Sequence, residues 1–267
     1  MPHAETATGQ EAFRTHHNYI QSLKNLMSGS TLVHTNIGKF PAAATPHLES
    51  KKNLIELTKR SLRDEARIVQ VDKDYSYAST SWLPVKVYYL LFNEMLTIDY
   101  LFTLDPQSFK LGHGKCSESF TRKLAAGEMH FSEPELNAVY DKMIFSHHEA
   151  PGANLRPALT ADQHTTLAMK KIALYKLEEW KRLRKISSFV TEESRKMRDA
   201  YLQRFQLSIF EFPYQMRLRA NYRDFAFIDS VSSTDTANYF NDYLAFARYF
   251  YRALRGLKDQ LVRARTR

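Results

Sequence analysis

Hydrophobic residues recur at helical spacing along most of the chain, and residues 82–104 form its most apolar stretch. Sixteen of the twenty-three residues in this stretch are hydrophobic. A helix that is apolar nearly all round is covered by neighbours on most sides, so we predict a buried central helix here. Pro84 falls in the expected first turn, where proline is tolerated, and Asp105 and Pro106 should end the helix.

Residues 234–261 show a two-sided pattern. Apolar residues at steps of three and four predict one buried stripe along a helix. That stripe consists of Tyr239, Tyr243, Phe246, Phe250, Leu254, Leu257 and Leu261. A basic stripe is expected on the opposite side, formed by Arg248, Arg252, Arg255 and Lys258. Residues 263–267 are basic and are predicted to be disordered.

The remaining pattern is also helical. Further helices are predicted over residues 11–27, 48–69, 117–126, 132–143 and, in two pieces separated near 187–191, over 160–211. One side of the helix over 48–69 should be formed by Leu54, Leu57, Leu62 and Ile68. Strand-like alternation is scarce and the chain has only eight glycines. We therefore predict an all-α fold, a helical bundle.

The connections between these helices divide the chain into four segments. Residues 1–47 form an N-terminal helix and a linker, and residues 48–109 form the first part of the helical core. Residues 110–160 are irregular and are predicted to be an insertion of short helices and loops. Residues 161–267 then form the second part of the core and end in a basic tail.

The net charge of +9 is concentrated in two segments. Residues 170–198 hold ten Lys or Arg against four Glu, and residues 248–267 hold seven against one Asp, so each segment carries +6. A basic helix is often only a solvated face. Two such segments on one protein also favour a polyanionic partner, with nucleic acid first among them.

Several classes of protein are disfavoured. A single cysteine, Cys116, excludes an internal disulfide and a thiolate-rich zinc site, and it fits a reducing cytoplasm. The N-terminus lacks a signal-peptide pattern, and the charged residues within 82–104 disfavour a membrane span. Neither His16-His17 nor His147-His148-Glu149 has the spacing that lets one ion take two imidazoles, so we predict no metal and no cofactor.

An arginine-rich stretch, residues 214–229, is the most distinctive part of the chain. Arg217, Arg219 and Arg223 lie there among polar and aromatic residues. Arg219 and Arg223 would share one helix face, where their charges repel unless an anion lies between them. That anion is either a carboxylate of this chain or a phosphate from outside. Structural, binding and catalytic roles therefore all stay open for these arginines.

The sequence Arg217-Leu218-Arg219-Ala220-Asn221-Tyr222 resembles the R-x-x-A-D-Y pattern of HEPN-type helical domains (higher eukaryotes and prokaryotes nucleotide-binding), with Asn in place of Asp. The resemblance covers residues 214–261 and, more faintly, 77–104. It implies an RNA-directed effector of a bacterial antiviral defence or toxin–antitoxin system. It also implies a homodimer whose motif arginines share one cleft, and a nucleotidyltransferase or another defence-system protein as partner. HEPN ribonucleases carry a histidine four to six residues after the arginine, whereas the last histidine here is His164.

These observations assign candidate site residues. We expect the residues that bind single-stranded RNA to be Arg217, Arg219, Asn221 and Arg223. In a ribonuclease, Arg219 would stabilise the scissile phosphate, and Asp224 or Tyr222 would take the 2′-hydroxyl proton, because an arginine cannot. The alternative is a non-catalytic helical module that binds nucleic acid, a nucleotide or a partner protein through its basic helices.

Overall fold

The structure, a computed structural model, describes residues 9–27, 33–34, 46–131, 134–147, 160–222 and 231–266. Its α-helices are α1 (Gly9–Met27), α2 (Pro46–Val71), α3 (Tyr75–Thr103), α4 (His113–Ala125), α5 (Pro134–Asn137), α6 (Ala161–Leu183), α7 (Glu192–Gln203), α8 (Phe212–Tyr222) and α9 (Ser233–Thr266). Short 3-10 helices span Pro106–Lys110, Lys142–Ser146 and Ile209–Glu211. The strands are β1 (Val33–His34), β2 (His130–Phe131), β3 (Val139–Tyr140) and β4 (Leu207–Ser208). The predicted all-α bundle is confirmed.

Helices α3 and α9 pack side by side at the centre of the bundle. All seven residues of the predicted apolar stripe of α9 are 0% exposed. On α3, buried side chains cover every face of the helix between Leu90 and Leu101. The predicted central position of α3 is therefore confirmed. Helices α1, α2 and α8 pack around this pair, and α6 packs against α1.

The start of α3 differs from the prediction. The helix begins at Tyr75, so Pro84 lies in its interior and not in its first turn. The reason is local capping, because the Asp72 carboxylate accepts hydrogen bonds from the backbone N–H groups of Asp74 and Tyr75 at 3.1 and 3.2 Å. These bonds satisfy backbone donors that have no partner within the first turn of a helix.

The buried face of α2 also differs from the prediction. Of the four residues expected to share one side, Leu62 is buried, whereas Leu54, Leu57 and Ile68 are exposed. The face that packs against the core consists of Ile55, Leu62, Ala66 and Val69. These positions follow steps of seven, four and three residues, which keep them on one line of the helix.

The middle of the chain contains less helix than expected. Helix α4 is present where one was predicted and is followed by Gly127, whose positive φ of +69° suits a glycine. The predicted helix from residue 132 is wrong beyond its first turn, because β3 pairs with β4, with Val139 opposite Ser208. Asn137 closes the single turn of α5 by exchanging 2.6 Å hydrogen bonds with the backbone of Phe131.

Two helix boundaries in the second half follow from capping. The Thr160 hydroxyl and the Gln163 side chain each accept a hydrogen bond from the other residue's backbone N–H, a capping box at the start of α6. Thr191 caps α7 after the predicted break. The predicted disorder of residues 263–267 is wrong up to Thr266, because α9 continues to that residue. Among the described helices, none has the length and apolarity needed to cross a membrane.

Candidate nucleic-acid-binding site

Helix α8 carries the central part of the arginine-rich stretch. Residues two apart on a helix differ by about 200° in direction, so Arg217 and Arg219 lie on opposite sides of α8. Arg217 contacts α3, whereas Arg219 contacts α1. The structure therefore gives these two arginines different neighbours. Arg223 and Asp224 lie outside the described residues, and so do the side chains of Asn221 and Tyr222, whose backbone ends α8.

Arg217 is packed against aromatic rings. Its guanidinium carbon lies 5.5 Å from the ring centroid of Tyr88 and 5.3 Å from that of Tyr89. Its Nη2 donates a hydrogen bond of 3.2 Å to the Tyr89 hydroxyl. Because the residue is only 9% exposed, these cation–π contacts are formed away from water, where they are strongest. This geometry favours a structural role for Arg217.

The same aromatic cluster holds His113 at the start of α4. Its Nδ1 lies 2.7 Å from the Tyr88 hydroxyl, and its ring packs 4.6 Å from that of Phe92. Burial and the nearby Arg217 charge lower the pKa of His113, so the imidazole is neutral at neutral pH. His113 and Arg217 thus form one packed unit that joins α3, α4 and α8.

Arg219 lines a small pocket among α1, α6 and α8. The pocket has a volume of about 110 Å³. The Arg219 Nη1 lies 2.5 Å from His16 Nε2, which accepts a hydrogen bond from it. Burial first, and then the charges of Arg219 and Lys171, hold the pKa of His16 well below its usual value. His16 is therefore neutral at neutral pH.

Sequence reasoning missed His16 as a partner of Arg219. The two residues are 203 positions apart, and no local spacing connects them. The neighbouring His17 points elsewhere, because its Nε2 lies 2.8 Å from an oxygen of Asp242 on α9. Adjacent side chains on a helix point about 100° apart, so His16 and His17 meet different neighbours.

A second concave surface lies between α2 and α9. We name it the basic groove, and its volume is about 330 Å³. Its charged lining consists of Lys59 and Arg63 from α2 and Arg248 and Arg252 from α9. Its other lining residues are Leu62, Leu90, Leu244, Ala247 and Tyr251. Four cationic side chains from two helices therefore surround an apolar and aromatic floor.

The cations of the basic groove have few acidic partners. Within the described ranges, no carboxylate lies within 4 Å of the guanidinium groups of Arg63, Arg248 or Arg252. Lys59 lies 2.7 Å from Glu56 and 5.2 Å from the ring centroid of Tyr251. Three guanidinium groups are thus available to an external anion.

The predicted basic stripe of α9 is divided by its packing. Arg248 and Arg252 line the basic groove. Arg255 lies 3.7 Å from Asp259 on the same helix, and Lys258 turns towards the core and pairs with Glu94 of α3. The charge pattern alone did not distinguish these roles, because it does not show which neighbour each lysine or arginine meets.

The described part of the chain contains no group of three or more His, Cys, Asp or Glu residues arranged to hold a metal ion. Comparisons of the whole chain with known protein families, with characterised proteins and with solved structures find no match.

Proposed function

We propose that the chain binds single-stranded RNA, with the phosphate backbone in the basic groove. The observation that supports this most is the convergence of Lys59, Arg63, Arg248 and Arg252 on one groove, which no acidic residue lines in the described part of the chain. Each phosphate placed there displaces condensed counterions from the nucleic acid, which makes the binding favourable and dependent on salt.

The aromatic floor of the groove favours the binding of single-stranded RNA over that of double-stranded RNA. Single-strand sites combine a cationic track with aromatic side chains on which bases stack. Tyr251 lines the groove, and the ring centroid of Tyr249 lies 5.8 Å from the guanidinium carbon of Arg252. A paired helix would keep its bases away from such rings.

A salt titration of RNA binding tests this proposal. The probe is a fluorescent single-stranded 20-nucleotide RNA, and the variant is Arg63→Ala with Arg252→Ala. The matched control is Arg60→Ala with Arg255→Ala, which removes the same charge from the same helices outside the groove. The groove variant should bind at least tenfold more weakly than the control and show a shallower salt dependence. Equal weakening in both variants, or no binding at low salt, would contradict the proposal.

A second candidate function, metal-independent cleavage of RNA, is favoured by the contact between His16 and Arg219. The neutral imidazole can take the proton of a 2′-hydroxyl, and Arg219 can stabilise the charge that develops on the phosphate. His16 Nε2 accepts a hydrogen bond from Arg219 in the free protein. A bound phosphate would attract the guanidinium and release that nitrogen to act as a base.

The cleavage step would form a 2′,3′-cyclic phosphate. The 2′-oxygen attacks the phosphorus, the bond to the 5′-oxygen breaks, and the leaving oxygen takes a proton from Lys171 or from water. Lys171 also lines the pocket, and its charge contributes to the lowered pKa of His16. His16 thus replaces Asp224 and Tyr222 as the base that this proposal uses.

Further proposals rest on the resemblance to HEPN-type domains. They are a role in a bacterial defence or toxin–antitoxin system, pairing of two copies, and a nucleotidyltransferase or defence-system partner. A cytoplasmic location is proposed from the single cysteine. If the chain proves not to cleave RNA, the basic groove still supports the alternative of a non-catalytic binding module.

A further inference from the structure

A cavity of about 570 Å³ lies among α4, α6 and α7 and shares no lining residue with the basic groove or with the His16 pocket. We propose that it binds a nucleoside monophosphate, either free or as the terminal nucleotide of an RNA strand. This site is separate from the proposed RNA-binding function and does not depend on it. Its volume lies within the range of about 300–1,000 Å³ that is usual for small-molecule sites.

One wall of the cavity is a pair of stacked rings. The centroids of Trp180 from α6 and Tyr201 from α7 are 4.6 Å apart, with an angle of 23° between the ring planes. Both residues line the cavity and are partly exposed. An aromatic side chain can stack with any base, and such stacking typically contributes about 1–3 kcal/mol per base. The stacked pair thus offers a surface for a nucleobase.

The Tyr201 hydroxyl can also donate a hydrogen bond. Burial, with the carboxylates of Glu118, Glu179 and Glu211 nearby, raises the pKa of Tyr201 to about 12. The phenol therefore stays protonated at neutral pH.

The cationic residues of the cavity can bind the phosphate. Arg184 follows the last residue of α6 and Arg204 follows the last residue of α7, and both are exposed and line the cavity. No carboxylate of the described residues lies within 4 Å of either guanidinium. Lys176 also lines the cavity, 3.2 Å from an oxygen of Glu211. Two guanidinium groups can bind a phosphate through paired N–H donors.

Among the described residues, the one carboxylate that lines the cavity is that of Glu118, and it fits the base and not the phosphate. Glu118 comes from α4 and is exposed. A carboxylate is an acceptor only, so it can receive hydrogen bonds from the amino and imino groups of a base. Stacked rings, two arginines and one carboxylate thus match the three parts of the ligand that need recognition: the base face, the phosphate and the base edge.

Tryptophan fluorescence provides a direct test, because the chain has only two tryptophans. Trp82 is 57% exposed, so Trp82→Phe should leave the fold intact and make Trp180 the only tryptophan, whose emission is recorded with excitation beyond the absorption of tyrosine. Adenosine and guanosine 5′-monophosphates should quench this fluorescence in a saturable way. Adenosine alone and inorganic phosphate alone should each bind at least tenfold more weakly than adenosine 5′-monophosphate. No saturable quenching at millimolar nucleotide would overturn the proposal.

Matched variants separate the cavity from a general cationic effect. In the Trp82→Phe background, Arg184→Ala with Arg204→Ala should weaken nucleotide binding at least tenfold. Arg182→Ala with Arg195→Ala removes two charges from exposed positions of α6 and α7 outside the cavity and should leave binding within twofold. Equal weakening in both double variants would overturn the proposal. The proposal would also be overturned if Arg184→Ala with Arg204→Ala lowered the melting temperature but left nucleotide binding unchanged. The two arginines would then only stabilise the C-terminal ends of their helices.

Two further measurements identify the source of the ligand and the independence of the site. A 5′-phosphorylated RNA hexamer that binds more tightly than the mononucleotide would assign the site to an RNA terminus, whereas equal or weaker binding would assign it to the free nucleotide. The groove variant Arg63→Ala with Arg252→Ala should bind mononucleotide normally. Loss of nucleotide binding in that variant would overturn the assignment to this cavity.

Discussion

The carboxylate of Glu94, which is 0% exposed in α3, accepts two hydrogen bonds from the Lys258 ammonium of α9, at 2.7 and 2.8 Å. Glu94 also interacts with Tyr251, and this hydrogen bond and the Glu94 charge add to burial in raising the pKa of that tyrosine. A charge this deep inside a protein is tolerated only when it is paired. The pair therefore fixes the position of α9 along α3.

Replacing Lys258 with methionine should lower the free energy of unfolding by about 3 kcal/mol, because the Glu94 charge would stay buried without its partner. Urea unfolding followed by circular dichroism measures this change. The control is Lys196→Met, which breaks an exposed pair with Glu192 and should have little effect. Equal stability of the two variants would show that Glu94 does not depend on Lys258.

Asp242→Asn should destabilise the protein in a manner that depends on pH. Burial raises the pKa of Asp242, but hydrogen bonds from His17, Lys24 and Gln21 lower it more, so the net pKa is well below the usual value. A carboxyl group whose pKa is lower in the folded state than in the unfolded state stabilises the protein at any pH above its unfolded-state pKa. This stabilisation is lost as the pH falls through the folded-state pKa.

The variant should therefore be less stable than wild type by about 2 kcal/mol at pH 7. The difference in the free energy of unfolding should become smaller below about pH 4, which is the pKa of aspartate in an unfolded chain. Urea unfolding between pH 3 and 8 measures it. Asp199→Asn is the control, because Asp199 is exposed and pairs only with the adjacent Arg198 among the described residues. A difference that is constant with pH would contradict the role assigned to Asp242.

Adjacent residues of α2 test its corrected orientation. Ile55 is 2% exposed and Leu54 is 45% exposed. Ile55→Ala should lower the free energy of unfolding by about 2–4 kcal/mol, because it leaves a cavity in the core. Leu54→Ala should lower it by less than about 1 kcal/mol. The reverse order in thermal or urea unfolding would restore the orientation predicted from the sequence.

The proposed cleavage of RNA predicts that Arg219→Ala and His16→Ala each reduce the rate by at least about a hundredfold, the usual contribution of a general base. His130, which is exposed on β2, provides the control variant His130→Ala. The measurement is the release of 2′,3′-cyclic phosphate ends from a defined RNA. Equal residual activity in all three variants would indicate a contaminating nuclease.

The pH dependence of the wild-type rate is a further check on His16. A base acts in its neutral form, so the rate should rise as pH passes the lowered pKa of His16 and then stay constant. It should already be at its plateau near pH 6.5, where an ordinary histidine is half protonated. A rate that still doubles above that pH would exclude His16 as the base.

The parts of the fold that were predicted correctly depend on local periodicity. The apolar residues from Tyr239 to Leu261 are regularly spaced, so they form a single apolar face of the helix, and that face is buried. The short pairing of β3 with β4 was missed, because two-residue strands carry no periodic pattern. The contact between His16 and Arg219 was missed for a related reason, since tertiary packing alone determines which residues of distant helices meet.

The packing of α3 against α9 has a consequence for synthesis of the protein. The central helix is complete at Thr103, but the helix that covers it begins at Ser233. At translation rates of about 5–20 residues per second, roughly ten seconds pass between the synthesis of α3 and the emergence of α9 from the ribosome. During this interval the most apolar segment of the nascent chain lacks its main partner, so a ribosome-associated chaperone has a defined segment to protect. Chains that terminate before α9 should aggregate.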